Sequence, residues 1–135
     1  MSKSNTTEND VVKFMFNNTA MPSYGSNLYL ALHTADPGEA GNASTNESAY
    51  TSYARVAVAR DAGGWTVSGN SATNAALIQF PECTGGSETI THVSITRAVS
   101  GTSKILYSGA LSASRSVSSG IQPQFAATAL TVTED

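Results

Sequence analysis

The residues that could do chemistry are few. His33 and His92 are the only imidazoles in the chain, and Asp36 follows His33 closely enough to imagine it as the orienting acid of a Ser-His-Asp set. A hydrolase of that kind needs a serine held on a sharp strand-to-helix turn, and no Gly-x-Ser-x-Gly elbow is present. In a chain this rich in serine, a serine near either histidine is expected by chance. His92 sits in Thr91-His92-Val93-Ser94-Ile95 and alternates onto one face with Ile90 and Ser94, which reads as a strand position. A glycan hydrolase would need paired carboxylates across a cleft, whereas the acids here fall mostly in turns and at Glu134-Asp135. No catalytic residue is expected, and the chain does not read as an enzyme.

Cofactors and metals fare no better. One cysteine, Cys83, rules out zinc ribbons, Cys-x-x-Cys redox chemistry and an internal disulfide, and reads as a small buried thiol. No His/Cys cluster has ligand spacing. Asp36-Pro37-Gly38-Glu39 brings two carboxylates together, but Pro at the second and Gly at the third position mark a type II turn. Gly63-Gly64 and Gly85-Gly86 lack the helix and the Gly-Lys-Ser/Thr of a phosphate loop. Trp65 and tyrosines 24, 29, 50, 53 and 107 contain the material of a sugar platform, yet lie singly on different segments and read as core or rim aromatics. No cofactor is expected.

Composition narrows the partners. The 135 residues are 40% hydrophobic and only 13% charged, with a net charge of −3, against about 25% charged in an average domain. Seven scattered basic residues exclude a phosphate-neutralising nucleic-acid binder and a polybasic membrane binder. No apolar run approaches a membrane span, and Met1 to Asp10 has no signal-peptide core, so the chain is expected to stay in the cytosol or leave it by a route other than secretion. The Asn-x-Ser/Thr sequons then carry little meaning.

The elements that would position any site read as one domain over 6–135 behind a flexible arm, 1–5. Thr6 to Asn17 forms a helix, with Thr7 as N-cap and Asp10 completing an approximate capping box. Its apolar residues Val11, Val12, Phe14, Met15 and Phe16 make a wide stripe, expected to bury against the domain's own sheet or, alternatively, a neighbouring subunit. Beyond it the period is two. Leu28, Leu30 and Leu32 alternate with Tyr29, Ala31 and His33, and Arg55, Ala57 and Ala59 alternate with Val56 and Val58. Further strands are expected at 64–69, 73–80, 89–97, 104–110, 113–117 and 121–133, the last broken near Ala127. Gly-rich turns between short strands predict an all-β fold, a jelly-roll-like antiparallel β-sandwich of about eight strands with one short N-terminal helix. Thr34–Tyr50 is a long polar loop, either a contact arm or a solvated excursion.

Six stretches in order carry a resemblance: Asn27–Gly41, Ser52–Val58, Thr73–Pro81, Ile90–Ile95, Ile105–Leu111 and Phe125–Val132. Together they resemble a family of small virion proteins of tailed bacteriophages, labelled capsid decoration (cement) or tail-fibre proteins, across roughly 6–132. Thr96-Arg97-Ala98-Val99 and Gln122-Pro123-Gln124 depart from the usual pattern, and Pro123 is expected at a sheet edge or bulge. The resemblance implies a virion structural protein. Lacking a fibrous shaft, the chain is read first as cement. It would sit on the capsid exterior after assembly in the host cytoplasm, with the major capsid protein and other copies of itself as partners in a symmetric homo-oligomer. The alternative is a tail-fibre or tail-tip receptor-binding module. The candidate partner contacts are Phe14, Met15 and Phe16 on the helix and Asp36, Glu39 and Tyr50 on the long loop.

Overall fold

The computed structural model describes residues 1–135. In chain order the elements are β1 (Ser2–Lys3), α1 (Asn5–Phe16), β2 (Asn27–His33), β3 (Val56–Ala59), β4 (Trp65–Ser68), β5 (Ser71–Asn74), β6 (Ile78–Gln79), β7 (Ser87–Thr96), β8 (Ile105–Ser118), β9 (Gln124–Phe125) and β10 (Thr131–Thr133). They form a five-stranded sheet, β1-β8-β7-β2-β3, a three-stranded sheet, β10-β5-β4, and the pair β6-β9. Every pairing is antiparallel. The expected all-β sandwich with one short helix is present. The jelly roll is not confirmed: it would need two Greek-key sheets from eight strands, and these strands divide five, three and two.

The core follows from the alternation in β2. Leu30 lies opposite Ile95 on one side and Val56 on the other, and Leu32 opposite Val93, so one face of the large sheet is aliphatic. Trp65, Val132, Leu130, Ile78 and Phe80 close over it. Phe80 is fully buried and lies between the rings of Tyr53 and Phe125, with centroids 6.4 Å from each. Pro123 directly precedes β9 and gives its carbonyl to the Phe80 amide at 2.9 Å, so the proline borders the short β6-β9 pair. The Cys83 thiol is buried.

Two expectations about strands meet a physical correction. Segments 104–110 and 113–117 are one strand, β8, and the apparent gap is a bulge. The register with β7 shifts between Ile90 and His92, so that Thr91 alone faces Leu111 to Ser114. Segment 73–80 instead splits into β5 and β6, because Asn74 turns its side chain inward to bind backbone.

The N-terminus also differs from its reading as a loose arm. Ser2 and Lys3 pair with Ser108 and Tyr107. Ser4 is buried and is the N-cap, its hydroxyl accepting from the Thr7 amide at 3.3 Å. Thr7 was expected as the cap but lies one turn inside, where its hydroxyl donates to the Ile105 carbonyl at 3.1 Å. Ser4 donates to the same carbonyl, and an ion pair joins Asp10 to Lys104. These contacts fix the start of α1, and the end projects. Phe14, Met15 and Phe16 are 55%, 68% and 79% exposed, so the helix does not bury its stripe against its own sheet.

One turn depends on a glycine for space. A Cβ on Gly64 would lie 2.0 Å from the Ala59 carbonyl oxygen. Gly64→Ala is therefore expected to lower the unfolding free energy by roughly 1–3 kcal/mol, as other overpacked sites do, read from urea midpoints.

Candidate functional site

The face of β2 opposite the leucines is covered as well, with Ala31 and His33 fully buried. Residues 34–50 cover it. The Thr34 amide binds the Asn46 carbonyl at 2.9 Å, Ala43 binds Ser103 at 2.8 Å, and Ser48 returns to Leu32 at 2.8 Å. Glu88 secures the far end by accepting from the Ser48 hydroxyl and from the amides of Ala49 and Tyr50 at 3.1 and 3.2 Å. The loop is thus no solvated excursion, since it folds down onto the sheet. Polar side chains that look unstructured in sequence are used here to satisfy backbone groups against the sheet.

Beneath this cover lies the one arrangement with the outline of a catalytic pair. His33 Nε2 is 2.7 Å from Ser94 Oγ, and His33 Nδ1 is 2.9 Å from the Thr45 carbonyl. The carbonyl can only accept, so Nδ1 carries the proton and Nε2 accepts from the serine. A serine–imidazole bond is formed, but a peptide carbonyl occupies the orienting position and both side chains are sealed from solvent. Asp36 takes no part; its carboxylate accepts from the Gly38 amide at 2.8 Å within its own turn, where Gly38 has φ +71°. What the pair does is hold residue 45 onto β2 and β7.

Burial is the main influence on His33 and depresses its pKa, with the Thr45 carbonyl partly opposing. An imidazole with a folded pKa below its unfolded value of about 6.5 leaves the unfolded chain to take up the proton first. The stability it contributes is full above that value and is lost as pH falls through the folded one. His33→Gln is expected to flatten the fall in urea midpoint from about pH 7 to about pH 5. An unchanged slope would show that the imidazole is not the responsible group.

The six candidate contacts separate into two kinds. Phe14, Met15 and Phe16 form a continuous exposed apolar end on α1, and Asp36 and Glu39 are also exposed. Glu39 is partly engaged by the N-terminal segment, its side chain accepting from Ser2 and its carbonyl from the Asn5 amide. Tyr50 is a correction: at 4% exposure it cannot meet a partner. It packs edge-on to Tyr53 and donates its hydroxyl to the Pro81 carbonyl at 2.7 Å, and burial pushes its phenol up to about 12. Of the aromatics, Trp65 and Tyr50 are buried, and Tyr24, Tyr53 and Tyr107 pack against the core.

Two surface hollows were not foreseen. A groove of about 840 Å³ runs beneath β8, between Leu111, Arg115 and the segment Ile121–Thr131. A second hollow of about 510 Å³ opens between the two larger sheets, lined by Leu28, Trp65, Val67, Ile95, Leu106 and Val132. Val67 shares a strand face with Trp65, with Thr66 on the other, yet it is 72% exposed while Trp65 is buried. Alternation alone cannot tell a strand face packed on the core from one bordering a hollow.

A family model described as podophage GP4 fiber I protein gp80 matches residues 2–133. The chain belongs to this family. The fibre protein is therefore a bacteriophage virion component with a structural role, in keeping with the resemblance carried by its strand and turn motifs. The family description speaks of a fibre, so the cement reading and its place on the capsid exterior gain no support, and the fibre alternative fits better. A search of curated proteins finds no match for the fibre protein.

Proposed function

We propose that the chain is a tail-fibre module that serves adsorption of the virion to its host through surface contact, with no bond-making chemistry of its own. The observation that carries this reading is the fibre-family match over residues 2–133. Two structural features support it. The serine–imidazole pair is closed to substrate and engaged in holding a loop. The 34–50 loop instead keeps Asp36 and Glu39 at the surface, where they can take part in contact. Tail fibres repeat, and many modest contacts acting together give firm attachment without high affinity at any one.

Imaging of intact particles with a gold-labelled antibody to this chain tests the placement. Label at the tail is the expected result, and label spread over the shell would return the protein to the capsid. The adsorption role has its own test: purified protein added in excess should slow phage adsorption to host cells. No competition at saturating protein would leave a purely structural fibre part.

A further inference from the structure

The fold leaves two apolar features without a counterpart. One is the end of α1, where Val12, Phe14, Met15 and Phe16 are all more than half exposed. The other is the hollow of about 510 Å³ lined by Leu28, Trp65, Val67, Ile95, Leu106 and Val132. They do not meet within one chain, since no residue of α1 lines the hollow. The first turns of the helix are fixed elsewhere, at the Ile105 carbonyl and at Lys104.

Their charges complement each other. The amides of Asn17 and Thr19 both bind the Lys13 carbonyl, leaving the carbonyls of Phe14, Met15 and Phe16 without backbone donors at the negative end of the helix dipole. Lys13 stands beside them. Residues bordering the hollow are Arg60 and Asp61. Arg60 uses its Nε on the Gly25 carbonyl, which leaves its terminal nitrogens to face the helix carbonyls, while Asp61 Oδ1 accepts from the Gly63 and Gly64 amides at 2.8 and 3.2 Å, leaving Oδ2 for Lys13.

We propose that the apolar end of α1 docks in the Trp65–Val67 hollow of a second copy of this chain, each copy both giving a helix and receiving one. Area supports the reciprocal form. An aromatic side chain buries roughly 150–250 Å², so one helix end with the surface it covers removes on the order of 800 Å² from water. That is less than the roughly 1,200–2,000 Å² of a stable protein pair. Reciprocal seating doubles the buried area and brings it into that range.

Sedimentation velocity of the whole chain over a concentration series tests this, independently of where the fibre sits on the particle. The wild type is expected to form a discrete oligomer. Phe16→Asp, in the helix, and Val67→Arg, at the hollow, are each expected to weaken assembly at least tenfold, with far-UV circular dichroism and melting unchanged because both side chains are exposed. Val67→Asp serves as the second hollow variant should Val67→Arg fail to fold. An equimolar mixture is decisive: the Phe16→Asp chain keeps an intact hollow and the Val67→Arg chain an intact helix, so the two should form a weak one-to-one pair that neither forms alone. Trp65, the sole tryptophan, should shift its emission to the blue as the pair forms. A wild type that stays monomeric throughout overturns the proposal. So does an oligomer lost with Phe16→Asp but untouched by both hollow variants, since the helix ends would then meet each other.

Discussion

Replacing Glu47 by alanine is expected to destabilise the protein by about 3–5 kcal/mol, the cost of leaving a buried charge without its partner. Arg55 is buried, and its guanidinium meets Glu47 through Nε–Oε1 at 2.7 Å and Nη2–Oε2 at 2.8 Å. The same group donates to the carbonyls of Ala98 and Gly101 at 3.0 and 2.7 Å. Tyr53 adds its hydroxyl, donating to Glu47 at 3.0 Å while accepting from the Leu32 amide at 3.1 Å. One carboxylate therefore ties the loop over β2 to the approach to β3 and, through Arg55, to the turn after β7. Glu47→Gln keeps the shape and part of the hydrogen bonding, and should cost less. A Glu47→Leu, Arg55→Met double variant removes both charges together and should recover most of the loss, because the pair's attraction only offsets the cost of burying it. Urea unfolding of the three variants gives the comparison. A single Glu47→Ala loss below about 1 kcal/mol would falsify the assignment of a desolvated pair and make it an ordinary surface bridge.

Asn74→Asp is expected to cost about 3 kcal/mol or more at neutral pH, although the side chains have the same shape. Asn74 is fully buried. Its Nδ2 donates to the carbonyls of Ala76 and Ala126, both at 2.8 Å, and its Oδ1 accepts from the Leu130 amide at 2.9 Å. The side chain thus clamps the segment between β9 and β10 onto β5. An aspartate loses both donors and sets a charged oxygen against two carbonyl oxygens. Burial raises the pKa of such a carboxyl, so the deficit relative to wild type should shrink as pH falls and the group becomes neutral. A deficit independent of pH would point to a packing defect instead of a misplaced charge.

Neither residue stood out in the sequence. Arg55 shares a face with Ala57 and Ala59 and reads in the sequence as one polar position on a small-residue face. Glu47 lay in a polar stretch with nothing to say that the stretch folds down. Their pairing depends on β2, β3 and the loop arriving together. Ser4 shows the same limit at shorter range. Both Ser4 and Thr7 satisfy the rule for an N-cap, and the choice between them was made by the Ile105 carbonyl, which lies far along the chain and takes both hydroxyls. Tyr50 was misplaced because a tyrosine at the end of a polar loop suits a contact surface as well as it suits a core edge; the Pro81 carbonyl and the Tyr53 ring decided the matter.

The sequence by itself determined what local pattern can determine. Period-two alternation set the strands and the aliphatic face of β2, and Gly-rich turns separated them. The strand and turn motifs were also enough to resemble the phage family to which the chain belongs. Tertiary structure alone decided which elements become neighbours: the division into three sheets, the folding of 34–50 over His33, and the outward end of α1. The physical reason is that alternation records that a face must be covered without recording by what. An apolar helix stripe reads identically whether its cover is its own sheet or another molecule, and only the assembled fold shows that its own sheet leaves the last turn bare.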